Sequence, residues 1–159
     1  MHQSIINFNN IKSSIKSNQE QTNNKNNIKI IAVSKTFEIS HINPLIDYGH
    51  TDFGENKVQE AIEKWTDIKT KNNKLSIHLV GKLQSNKTKL ALKIFDYIHS
   101  LDSEKLANKI SEEQKKIDKK PKLFIQVNIG NEDQKSGIDP NKLKSFYKYC
   151  LDKELDIIG

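Results

Sequence analysis

Residues 30–36, Ile-Ile-Ala-Val-Ser-Lys-Thr, place a lysine at the abrupt end of an apolar, partly β-branched run. In a parallel α/β protein, ligands meet the carboxyl ends of the strands, where the next loop begins. Lys35 is therefore expected at the rim of a buried sheet, where apolar neighbours withdraw water from its amine. Desolvation disfavours the ammonium, and the free amine is the form that condenses with an aldehyde to a Schiff base. Counting by twos, Lys35 shares one strand face with Val33 and Ile31, while Ser34, Ala32 and Ile30 take the other. The plainer alternative, a solvated lysine just past a strand end, applies to any one of the 26 lysines.

Other polar groups fall where strands are expected to give way to loops. These are Glu55 and Asn56; Gly81 with the segment Leu83-Gln84-Ser85-Asn86-Lys87; and His99, Ser100, Asp102 and Ser103. Gln126 and Asn128 complete the set, ahead of Lys135-Ser136-Gly137. Amides and hydroxyls beside a desolvated lysine can hold a planar polar ring without strongly shifting its charge. Taken singly, each also suits a cap or loop, with Ser103 reading as a helix N-cap and Asn56 as a possible one. His2, His41, His50, His78 and His99 are scattered without metal-ligand spacing, and His78, inside a strand, reads as a core histidine. No Ser-His-Asp arrangement has a geometric basis. Neither a Gly-x-Gly-x-x-Gly nor a Walker A pattern follows the first strand, which removes support for the common nucleotide-binding versions of an α/β chain.

The elements that must position these groups alternate regularly. Residues 3–16 have helical spacing at Ile5, Phe8, Ile11 and Ile15, and residues 17–27 are asparagine-rich and read as a loop. Strands are expected at 28–35, 51–54, 77–81, 97–99, 122–128 and 155–158. Helices are expected between them at 40–48, 57–70, 86–94, 103–118 and 140–152. Gly49 closes one helix and Pro140 opens another. Such βα repetition predicts a parallel sheet with helices outside it. The expected fold is a single (β/α) TIM-type barrel domain over 1–159, with 1–27 as the N-terminal helix and loop and 28–159 as βα units. It is incomplete, with about six of the eight units of a closed barrel.

Composition narrows the partners. The chain has 159 residues, enough to bury a core, and a net charge of +6. Every basic residue is lysine, however, and phosphate and base-edge recognition leans on arginine's planar fork. The lysines are interleaved with acids, as in 105–120, so specific nucleic-acid binding is not expected. The longest unbroken apolar run, residues 30–33, is far too short for a membrane span, and no secretory signal is visible. A single cysteine, Cys150, suits a reducing, cytoplasmic setting, and its place among Leu143, Phe146, Tyr147 and Leu151 reads as a buried hydrophobe.

Five motifs follow one another in register over residues 32–137. They are Ala32-Val33-Ser34-Lys35-Thr36; Asp52-Phe53-Gly54-Glu55-Asn56 with Val58-Gln59-Glu60; Gly81-x-Leu83-Gln84-Ser85-Asn86-Lys87; Ile98-His99-Ser100-x-Asp102-Ser103; and Gln126-Val127-Asn128 with Lys135-Ser136-Gly137. Together they resemble the YggS/PROSC family of pyridoxal-phosphate homeostasis proteins. The resemblance implies a barrel of the alanine-racemase N-terminal type (fold type III). It implies pyridoxal 5'-phosphate held as an internal aldimine on Lys35, with Asn56 lining the pocket. It also implies a non-catalytic intracellular carrier that passes cofactor to apo-enzymes. An amino-acid racemase using the same linkage is the alternative from another class, and a non-functional truncated gene product is a third. The family continues through further βα units that grip the cofactor phosphate, so the chain reads as C-terminally truncated, with a second chain as one possible source of those units. The arginine expected near the pyridine nitrogen has no counterpart here.

Overall fold

The computed structural model of the chain describes residues 2–130 and 136–159. Lys135 of the fifth motif lies outside the described residues. After an N-terminal helix α1 (Gln3–Gln21), strands and helices alternate: β1 (Ala32–Val33), α2 (Ile39–Asp47), β2 (Asp52–Glu55), α3 (Val58–Lys71), β3 (Ser76–Leu79), α4 (Thr88–Ile94), β4 (Tyr97–Leu101), α5 (Glu104–Ile117), β5 (Lys122–Ile125), α6 (Leu143–Asp152) and β6 (Asp156–Ile157). The six strands form one parallel sheet in the order β1-β2-β3-β4-β5-β6. Sequential order with every crossover helix outside is barrel winding. Among the described residues β1 pairs only with β2 and β6 only with β5, so the sheet is an open arc of a barrel.

Strand alternation sorts the side chains into two layers. Phe53, Ile77, Leu79, Ile98 and Leu123 turn outward and are fully buried beneath helices that contribute Trp65, Ala91, Leu92, Ala107 and Ile110. Burying a large apolar side chain is worth about 1.5–3 kcal/mol, so this outer layer holds the arc together. On the inner face, a Cβ at Gly54 would stand 3.2 Å from the Val33 side chain and 3.3 Å from that of Ile31. Ile31, Val33 and Gly54 therefore share the inner face, the one expected to carry Lys35.

Several boundaries differ from expectation, and three of them have a plain physical cause. Helix α1 runs on to Gln21 through residues expected as loop, because Gln and Glu are good helix formers, and it ends where Thr22 turns its hydroxyl back to Asn18 O at 2.8 Å. Strand β1 shrinks to Ala32–Val33, having a neighbour on one side only. Strand β5 stops at Ile125, and its extension pairs with another segment: Asn128 N donates to Ile138 O (2.9 Å) and Ile138 N to Gln126 O (2.8 Å). That approach requires Gly137, whose φ is +134° and whose Cβ would lie 2.6 Å from Asn128 N.

Candidate functional site

Ser34 and Lys35 leave β1 in a tight turn, in which Phe37 N donates to Ser34 O at 3.1 Å before α2 begins. Ser34 is buried, whereas Lys35 is exposed. The sequence leads one to expect a desolvated lysine; in the turn beyond β1 this one is in contact with water. Asn56, directly after β2, is half-buried. It does not cap α3, whose N-cap is Lys57 without a side-chain bond. Instead Asn56 and Lys35 line one cleft of about 820 Å³, together with Thr36, Phe37, Lys57 and Lys64. Glu38, Glu60 and Glu63 balance the lysines around its rim.

The backbone of Asn56 is held by Gly81. A Cβ there would lie 2.2 Å from Asn56 O and 2.8 Å from its Cα, so only glycine lets the loop after β3 approach so closely. This is the physical reason for a glycine at the head of the Gly81-x-Leu83-Gln84-Ser85-Asn86-Lys87 motif. In the rest of that motif, Leu83 is buried and Ser85–Lys87 form a single 3-10 turn leading into α4.

Other expected site residues part company. His99 faces inward, while Ser100, one residue on, is buried against the helix layer. Ser103 is the N-cap of α5, accepting from Leu106 N at 3.4 Å. Gln126 turns its amide to Ser136 O at 3.0 Å. Cys150 is fully buried, and burial together with the Glu104 charge pushes its thiol up to about 11.

Two polar clusters were not foreseen. On the inner face, Lys29 Nζ meets Asp52 Oδ1 at 2.7 Å, His78 Nε2 reaches the same oxygen at 3.1 Å, and His78 Nδ1 lies 3.0 Å from His99 Nε2. An ionised Asp52 only accepts, so the network assigns the His78 proton to Nε2, and His78 Nδ1 accepts from His99 Nε2–H. Tyr97 stacks on His78 at 4.2 Å and Phe124 on His99 at 4.4 Å. Burial pushes His78 below its ordinary value despite Asp52, and burial with the neighbouring His78 lowers His99 to about 4. Burial works against the Asp52 carboxylate, but bonds from Lys29, His78 and Thr51 outweigh it and hold its pKa below the usual range.

The second cluster lies under the Lys35 turn. Glu55 is not a loop residue but the last of β2, fully buried and turned toward α3. Its Oε1 accepts from Ser34 Oγ (2.8 Å), Lys64 Nζ (2.9 Å) and Trp65 Nε1 (3.0 Å). The sequence signal for Lys64 was its place between Ala61 and Ile68 on an apolar helical stripe, where a lysine must find an acceptor.

Comparison with known proteins agrees with this architecture. The model of the alanine racemase N-terminal domain family matches residues 6–159. The pyridoxal phosphate homeostasis protein of Pasteurella multocida (strain Pm70) is 43% identical over 121 residues, 76% of this chain and 52% of that protein. That of Haemophilus influenzae is 41% identical over 132 residues, 82% of this chain and 55% of that protein. The chain spans about half the length of these curated relatives. Among solved structures, PipY of Synechococcus elongatus PCC7942 with PLP bound superposes with a TM-score of 0.73 at 34% identity, covering 87% of this chain and 64% of that one. With a family match over nearly its whole length and the sequential parallel sheet that such domains require, this chain belongs to the alanine racemase N-terminal domain family.

Proposed function

We propose that this chain is a pyridoxal 5'-phosphate binding protein of intracellular cofactor homeostasis, holding the cofactor reversibly through the Lys35 amine. The observation that carries the reading is the cleft between the loop after β1 and the start of α3, lined by both Lys35 and Asn56. Its volume, about 820 Å³, accommodates a small planar cofactor. When bound, the cofactor supplies an aldehyde that takes up a primary amine with loss of water. In this role Lys35 would offer the amine and Asn56 an uncharged amide to the bound ring, while Lys57 and Lys64 are engaged by Glu60 and Glu55. The PLP-bound neighbour and the names of the relatives support the cofactor assignment.

The carrier role is non-catalytic in this proposal. Racemisation needs acid-base groups on both faces of the substrate, and none of the four tyrosines lines the Lys35 cleft. Delivery to apo-enzymes and a cytoplasmic location complete the reading, the latter supported by a single, buried, unpaired cysteine. No helix among the described residues is long and apolar enough to cross a membrane. The outer edges of β1 and β6, unpaired among the described residues, and an apolar groove of about 640 Å³ beside β6 support a second chain that would pair those edges.

Incubation with pyridoxal phosphate, borohydride reduction and peptide mapping test the assignment. Selective modification of Lys35 among the 26 lysines is expected. Modification scattered over surface lysines would overturn the assignment. Substrate α-proton exchange that disappears in Lys35→Ala would overturn its non-catalytic part.

A further inference from the structure

Ser34, the residue before Lys35, has every polar group engaged. Its N–H donates to Gly54 O (2.8 Å) and its hydroxyl to Glu55 Oε1 (2.8 Å), while its carbonyl accepts from Lys64 Nζ (2.8 Å) and Phe37 N (3.1 Å). We propose that Glu55 and Lys64 form a clamp on Ser34 that fixes the direction in which Lys35 leaves the sheet, making both positioning residues for the cofactor-binding amine. The proposal rests on the reading of Lys35 given above.

The arrangement fits this role better than a purely stabilising one. Buried ion pairs are commonly replaced by apolar residues of similar volume with little loss of stability. Here the Glu55–Lys64 pair is almost dry, the two side chains being 0% and 14% exposed. All three bonds crowd onto Oε1, while Oε2 is buried without a hydrogen-bond partner. A carboxylate so placed is poorly satisfied as a structural group. What it achieves is geometric: with Lys64 it grips both the side chain and the carbonyl of one residue. The peptide joining Ser34 to Lys35 is planar, so a fixed Ser34 carbonyl also fixes the Lys35 nitrogen and Cα. The exposed stem then explores the cleft from one anchored origin, which limits the freedom lost when the amine is captured.

The test uses Glu55→Gln and the double variant Glu55→Gln/Lys64→Met, which removes both charges and leaves no unpaired ion. Amide exchange at Phe37, bonded to Ser34 O, is divided by exchange at Asp96, bonded to Ile77 O at 2.9 Å away from the clamp. The ratio cancels any global loss of stability. It is expected to rise ~10-fold in the double variant and less in Glu55→Gln. The share of borohydride-trapped cofactor found on Lys35 is expected to fall in the same order, with a matching loss of visible absorbance from the bound cofactor. If the wild type labels Lys35 selectively and the variants do so equally well, the clamp is refuted and the cofactor assignment stands. If the wild type labels at random, the cofactor assignment falls, and an unchanged exchange ratio refutes the clamp independently. Should the double variant not fold, Glu55→Gln is scored on the same ratio, and no change there refutes the clamp.

Discussion

Gly81→Ala isolates a single contact that ties two sequence motifs together. The new methyl would stand 2.2 Å from Asn56 O, 2.8 Å from its Cα and 2.9 Å from its carbonyl carbon. All three are backbone atoms, so no side chain can swing aside. The backbone of Gly81 is not in the left-handed region, so alanine there carries no dihedral penalty and would gain about 0.4–1 kcal/mol through the unfolded chain. Overpacking against fixed backbone costs about 1–3 kcal/mol. The net expectation is a loss of ~1–2 kcal/mol, read from urea unfolding, with Asn56 pushed away from the cleft and Lys35 labelled less selectively. Gly49→Ala is the control: its φ is +94° with nothing within 4 Å, so it should cost about 1 kcal/mol and leave the cleft unchanged. A Gly81→Ala protein as stable as the wild type, or more so, would refute the steric reasoning.

The inner-face histidines predict acid sensitivity. His99 is lowered from 6.5 to about 4, and His78 is lowered too, so the unfolded chain takes up these protons first. Stability is then fully present above pH ~6.5 and lost as pH falls toward ~4, by ~1–2 kcal/mol for His99 once screening by water at the open face is counted. Urea midpoints that do not change across that window would contradict it. Cys150, with a thiol at about 11 and no exposure, should resist Ellman's reagent at neutral pH until urea unfolds the chain; rapid reaction in the native state would show otherwise. Ser103→Ala should cost ~0.5–1 kcal/mol, the low end for an N-cap, because its bond to Leu106 N is a long 3.4 Å. A loss well above that, measured by denaturant unfolding, would mean Ser103 has a further role.

The alternation of apolar runs with helical spacing was enough to read six parallel strands, the helices between them and a lysine at the end of the first strand. Period and turn chemistry are local properties, which is why Gly49 and Ser103 fall where expected, while Pro140 opens a single 3-10 turn, Pro140–Lys142, that leads into α6. What the local pattern does not carry is which strand residue stands beside which. The register that sets Gly54 beside His78, and His78 beside Tyr97, decides that Asp52, His78 and His99 form one chain of bonds. The same register turns Glu55 outward to meet Lys64, nine residues along and on the neighbouring helix. It also brings Gly81 against Asn56, which suited either a helix cap or a pocket wall and lines the Lys35 cleft. Lys35 stands in the turn just beyond β1, and it is exposed there. A residue's type and its place along a strand are written in the neighbouring residues. Its partners and its access to water depend on segments distant in the chain, and only the packed sheet brings those together.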